Sequence, residues 1–188
     1  SVYLLIGERL AEGGSMYLDA WDHKPPLIHW FYGAFVWLFG GGALTAIRVF
    51  TCFYIFFAAL LLNGLLGYYR IVPNRSILPG FLYILAVSLP WYAQELNAEL
   101  LMSVPMLLSF TLLLVNYVED RRQWSNAFAI GALCAVCVGI KYQGAFHFAA
   151  LLAAYILIAP FRVGQLVTIF TGFFSVILLI ILILYFNQ

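Results

Sequence analysis

Asp19, Asp22, His23 and Lys24 stand within six residues of one another, flanked by Tyr17 and Trp21. Two carboxylates, an imidazole and an ammonium in so short a stretch can move protons or hold an anion. Lys24 precedes Pro25, whose ring pushes the residue before it toward extended backbone. Asp22, His23 and Lys24 are therefore expected in a loop rather than in a helix. The same composition also describes a solvated loop anchored by aromatics. Further along, Arg48, Glu95, Glu99 and Lys141 are isolated charges in apolar surroundings, where an unpaired charge is expensive. Glu95 and Glu99 are four residues apart and can share one helix face. Arg48 suits bidentate phosphate contact, and equally a snorkelling role at the headgroups.

The elements that must position these residues are hydrophobic helices. The chain has 188 residues, 65% hydrophobic, 18% aromatic and only 9% charged, against roughly 25% charged in soluble domains. A soluble fold of this length cannot hide so much apolar surface, whereas a bilayer accepts it. The net charge of +1 gives no overall field toward nucleic acid. The expected fold is all-α, a polytopic transmembrane helix bundle. Six segments approach the ~20 apolar residues of a span: 44–69, 77–93, 100–118, 125–140, 144–159 and 165–186. Residues 1–43 are expected to form a separate extracytoplasmic loop with two helices lying in the interface. The first covers 2–12 and ends at Gly13-Gly14. The second covers 25–39, opens on Pro25-Pro26 and breaks at Gly40-Gly41-Gly42. At roughly 22 Å the second is short against a core of about 30 Å. With 44–69 as the first span here, Arg70, Arg75, Arg121, Arg122 and Arg162 share one side, which the positive-inside rule makes cytoplasmic. The loop 1–43, Glu95, Glu99 and Lys141 then share the other side.

Other polar or reactive residues read as structural. Cys52, Cys134 and Cys137 lie in apolar runs and are expected to be small buried hydrophobes. His29 and His147 are expected to be packed or interfacial rather than ligands. Trp91, Tyr92, Trp124 and Tyr142 suit a membrane-boundary belt. Pro105 is expected to kink the helix over 100–118.

The run Tyr17-Leu18-Asp19-Ala20-Trp21-Asp22-His23-Lys24-Pro25-Pro26-Leu27-Ile28-His29-Trp30 resembles the first-loop signature of GT-C membrane glycosyltransferases. That family includes the bacterial relatives of protein O-mannosyltransferases and the lipid A aminoarabinose transferases. The likeness continues through Phe39-Gly40, Ala46-Ile47-Arg48, Asn97-Ala98-Glu99-Leu100-Leu101-Met102 and Gly139-Ile140-Lys141. It covers nearly all of this chain and the N-terminal part of a typical member. The resemblance implies a sugar donor carried on polyprenyl phosphate, with the site facing the periplasm or exterior; the short loops point to a bacterial inner membrane. The resemblance also implies Lys24, and with it Arg48 and Lys141, as groups for the donor phosphate. Glu99 falls where the family has a second acidic residue, either positioning the acceptor or binding a divalent metal together with His23. The family's general base usually belongs to an Asp-Glu pair a few positions before a Tyr. Tyr3 matches that Tyr, so the pair would fall just before Ser1 and the chain is expected to be catalytically incomplete by itself. Asp19 and Asp22 are the fallback bases, and otherwise position substrates or polarise Lys24.

The resulting expectation is an N-terminal portion of a polyprenyl-phosphate-dependent glycosyltransferase, whose acceptor is a protein, a lipid or a glycan. A non-catalytic scaffold subunit of a larger membrane complex is the main alternative. A transporter or channel is disfavoured, because no charge falls mid-span in 100–118 or 165–186.

Overall fold

The computed structural model of the chain describes residues 2–19, 21–73, 76–89, 96–117, 123–158 and 162–186, and among them the regular elements are all helices. In chain order they are α1 (Val2–Ala11), α2 (Leu27–Phe39), a 3-10 turn (Gly40–Gly42), α3 (Ala43–Tyr68), α4 (Leu78–Ser88), α5 (Ala98–Tyr117), α6 (Trp124–Ile140), α7 (Gly144–Ile158) and α8 (Val163–Phe186). The all-α expectation holds. Three helical runs are long and apolar enough to cross a membrane: Leu27–Tyr68, Ala98–Asn116 and Val163–Phe186. α6 and α7, with 17 and 15 residues, are shorter apolar helices; they rise about 25 and 22 Å. The expected span 77–93 is described only to residue 89.

The run from Leu27 to Tyr68 is not one straight rod. Phe35 and Phe50, 15 residues apart, would stand about 22 Å apart along a continuous helix. Their ring centroids are 5.5 Å apart, and Phe31 meets Phe50 at 5.3 Å. The chain therefore turns sharply at the three glycines, where Gly40 takes φ 51°, a left-handed conformation glycine adopts without penalty. α2 becomes a separate 13-residue helix of about 20 Å, too short to cross the hydrocarbon core alone. It packs against α1, with Gly7 and Gly33 allowing close approach.

α6 lies at the centre of the bundle, between α5 and α8, with α7 folded back against it. A Cβ on Gly131 would fall 1.9 Å from the Ile169 carbonyl oxygen, and one on Gly172 would fall 2.1 Å from that of Phe128. The α6 and α8 backbones thus touch, as small residues permit between membrane helices. Burial separates into two clusters at opposite ends of the bundle. One gathers Ile28, Tyr32, Ile47, Leu96, Leu101, Met102, Cys137 and Ile140 around the α1–α2 end. The other gathers Leu113, Ile130, Cys134, Leu151, Tyr155 and Ile169 toward the opposite end. Cys134 and Cys137 are fully buried as expected. Cys52 is exposed, a correction: it lies on the outward face of α3 beside the exposed Phe53 and Val49, a surface a bilayer would cover.

Backbone groups that the sequence leaves without partners find them across helices. Pro105 inside α5 has no N–H for the Leu101 carbonyl, and the Tyr54 hydroxyl donates to that oxygen at 2.5 Å instead. The Gly80 N–H in the first turn of α4 donates to Asn63 Oδ1 at 2.8 Å. α3 ends in a Schellman-type cap, with Ile71 N donating to Leu66 O at 2.9 Å and Arg70 N to Gly67 O at 3.1 Å. Its left-handed position holds Arg70 at φ 55° in place of the usual glycine, a conformation that costs about 1 kcal/mol for a side chain with a Cβ.

Candidate functional site

The loop between α1 and α2 is built from its own side chains. Asp19 Oδ2 accepts from the Ser15 N–H at 2.7 Å, and Asp19 N donates to Ser15 O at 3.0 Å. This carboxylate is exposed and holds a local turn. Tyr17 sits at φ 69°, an unusual conformation for a residue with a side chain. Its hydroxyl donates to the Lys24 carbonyl oxygen at 2.8 Å, which ties the two ends of the loop together. Burial, and then the Asp22 carboxylate, push the Tyr17 phenol above its usual range, so it remains a donor.

Asp22 is the hub of the loop. Its Oδ1 takes the His23 N–H at 2.7 Å and lies 2.9 Å from His23 Nδ1. Its Oδ2 lies 3.2 Å from Nε2 of His29 on α2. His29 is completely buried, as expected for a packed histidine, yet among the described residues its Nδ1 has no hydrogen-bond partner and its Nε2 has only the poorly aligned contact to Asp22. A buried polar group left in this state costs about 1–3 kcal/mol, so it calls for an explanation beyond packing.

Lys24 reaches back to α1, where its ammonium donates to the Tyr3 hydroxyl and lies 4.4 Å from the ring centroid. Tyr3 in turn packs its ring on His29 at 5.7 Å and on Tyr32 at 5.5 Å. The Tyr32 hydroxyl donates to the Leu96 carbonyl at 3.0 Å, which anchors α2 to the start of α5. On the first turn of α5, Glu99 Oε1 accepts from the Lys141 ammonium at the C-terminal end of α6. Lys24 lies within electrostatic reach of the same Glu99 carboxylate.

Residues 99 and 141, distant in sequence, thus pair at one end of the bundle, with Lys24 within electrostatic reach. Arg48, also near this end on α3, is exposed and joins none of the ion pairs among the described residues. His23 is largely exposed and turned to Asp22, while Glu99 gives an oxygen to Lys141. Among the described residues, no three His, Cys, Asp or Glu side chains come together as a metal-binding group. Glu95, Trp91, Tyr92, Arg75, Arg121 and Arg122 lie outside the described residues. Trp124 and Tyr142 stand exposed at helix ends, where belt residues belong.

Sequence reading undervalued three groups. Tyr17, His29 and Tyr32 looked like flanking aromatics or packing, and only the tertiary contacts give them positions in the cluster. His147 goes the other way. It lies 2.8 Å from Ser109, but the Ser109 hydroxyl already donates to the Met106 carbonyl at 2.9 Å. His147 must then donate, which is the reverse of what a serine-activating base does. No protein-family model, curated protein or solved structure matches this chain.

Proposed function

We propose that this chain is the N-terminal membrane portion of a glycosyltransferase that takes its sugar from a polyprenyl-phosphate donor. The supporting observation is the Lys141–Glu99 ion pair at the end of the bundle capped by α1 and α2, with Lys24 within electrostatic reach of the same carboxylate. Two ammonium groups beside a lipid-facing surface suit a phosphate whose hydrocarbon tail stays in the bilayer.

In the reaction, an acceptor hydroxyl attacks the anomeric carbon and the carbon–oxygen bond to the phosphate breaks. The electron pair goes to the phosphate oxygen, where Lys24 and Lys141 stabilise the growing charge. The hydroxyl proton leaves to a carboxylate, for which Asp19 and Asp22 are the fallback bases; engaged with the Ser15 N–H, His23 and His29, they otherwise position the substrates. A divalent metal at His23 or Glu99 requires their present contacts to open, so no step is assigned to one. Arg48 is assigned to the lipid-phosphate region at the headgroup level. The membrane is the bacterial inner membrane, with α1, α2 and the cluster on the periplasmic side and Arg70 and Arg162 on the cytoplasmic side.

One observation favours the alternative of a non-catalytic scaffold subunit: Asp19, Asp22 and Glu99 each already hold a partner. The two readings separate in one assay. Full-length protein in liposomes with a radiolabelled polyprenyl-phosphate sugar is expected to transfer label, and Lys24→Ala to lower the rate about 100-fold. Unchanged transfer in Lys24→Ala removes Lys24 from the mechanism. No transfer by the wild-type protein, across a panel of sugars and acceptors, supports the scaffold.

A further inference from the structure

We propose a second binding site, for an anionic phospholipid, in the groove between α3 and α5 at the end opposite the α1–α2 cluster. The groove holds about 560 Å³ and is lined by Phe57, Leu60, Gly64, Tyr68, Tyr69 and Thr111, among others. Its one hydroxyl from α5 is spent within the helix, since Thr111 Oγ1 donates to Leu107 O at 2.7 Å, leaving an apolar wall. Nothing lies within 4 Å of the position a Cβ would take on Gly64, so the space is open.

Arg70 follows directly on Tyr69, the residue that caps α3 and ends this side of the lining. It is exposed and takes part in none of the ion pairs among the described residues. It also occupies the one backbone position of the α3 cap where glycine would be unstrained. An exposed arginine therefore stands one residue beyond the end of the apolar groove that Tyr68 and Tyr69 line. That combination matches one acyl chain in the groove and one phosphate on Arg70. The charge selects the occupant: a packed transmembrane helix would use the apolar wall and leave Arg70 without a role. This site is independent of the sugar-transfer reading.

The experiment uses the purified full-length protein in detergent, with phosphatidylglycerol or phosphatidylcholine of identical acyl chains, and reads retained lipid by native mass spectrometry. The wild type is expected to retain the anionic lipid about fivefold better, the effect of one basic residue at a lipid surface. Arg70→Gly is expected to abolish that preference while melting no lower than the wild type, because glycine accepts φ 55°. Should it fail to fold, Arg70→Asn, which also tolerates left-handed backbone, takes its place. Gly64→Leu is expected to fill the groove and cut retention of both lipids severalfold. Equal retention of the two lipids by the wild type overturns the proposal, as does full preference in Arg70→Gly. So does a concentration-dependent dimer that Gly64→Leu dissolves, which would make the occupant a second copy of the chain.

Discussion

The two ends of the bundle handle buried polarity in opposite ways. At the end away from α1 and α2, Asn116 Nδ2 donates to Gln165 Oε1 at 3.2 Å, and Asn116 Oδ1 accepts from the Gln123 N–H at 2.6 Å. The Tyr155 hydroxyl donates to Arg162 O and accepts from Arg162 N, both at 3.1 Å. Among the described residues these bonds join neutral side chains and backbone. At the α1–α2 end charged groups gather, Asp22 lies among two histidines, and the buried His29 has, among the described residues, no partner for Nδ1 and only a poorly aligned one for Nε2. Neutral groups that bond one another join helices. An open charged network keeps capacity for something not yet bound, and strained or unsatisfied groups gather where function is.

Three substitutions can break or sharpen this contrast. The largest effect belongs to the neutral network. Asn116→Leu removes the acceptor of the Gln123 N–H and the donor to Gln165 Oε1, and is expected to destabilise the protein by about 2 kcal/mol. Thermal unfolding in detergent measures this, and transfer per folded molecule should stay at the wild-type level. A loss smaller than that of a typical surface change would show that the network is not structural. At the other end, His29→Phe replaces an unsatisfied imidazole by an apolar ring in the same aromatic setting. It is expected to leave stability unchanged or raise it by up to about 1 kcal/mol, while lowering sugar transfer. A clear drop in melting temperature would place His29 with the structural network instead. The smallest effect is expected from Tyr17→Phe, which removes the hydroxyl from the Lys24 carbonyl. A loss of about 0.5–1 kcal/mol, with faster hydrogen exchange confined to the 15–24 loop, is the expected outcome. Exchange rising equally across α5 and α6 would mean that the loop and the bundle open together.

Much of the fold was legible from hydropathy, since period and run length in apolar sequence report helices directly. The boundaries of α1, α3, α5 and α8 fall within a few residues of the expected segments, and Gly13-Gly14 and Gly40-Gly41-Gly42 mark real ends. The candidate site was legible in part. Lys24 stood out because of its Pro-Pro neighbour, and Glu99 and Lys141 because charge is rare in apolar sequence. Their pairing was not legible, because nothing in linear spacing relates residue 99 to residue 141. His29 is packed as expected, but its closeness to Asp22 and the Tyr17 contact with Lys24 were not legible for the same reason: an aromatic stretch reads alike whatever its polar atoms touch. Cys52 was misjudged because an apolar run does not say which face of a membrane helix turns inward, lipid and protein interior being equally apolar.

The sequence by itself determined that this chain is a set of apolar helices with one charged loop, because charge scarcity and run length leave a polypeptide few other options. The tertiary structure alone decided which charges meet, which carboxylates are already occupied, and that α2 folds back from α3 instead of extending it. Those outcomes depend on close approaches such as Gly131 against Ile169 and Phe35 against Phe50, and contacts between distant residues are set by the packing of whole helices.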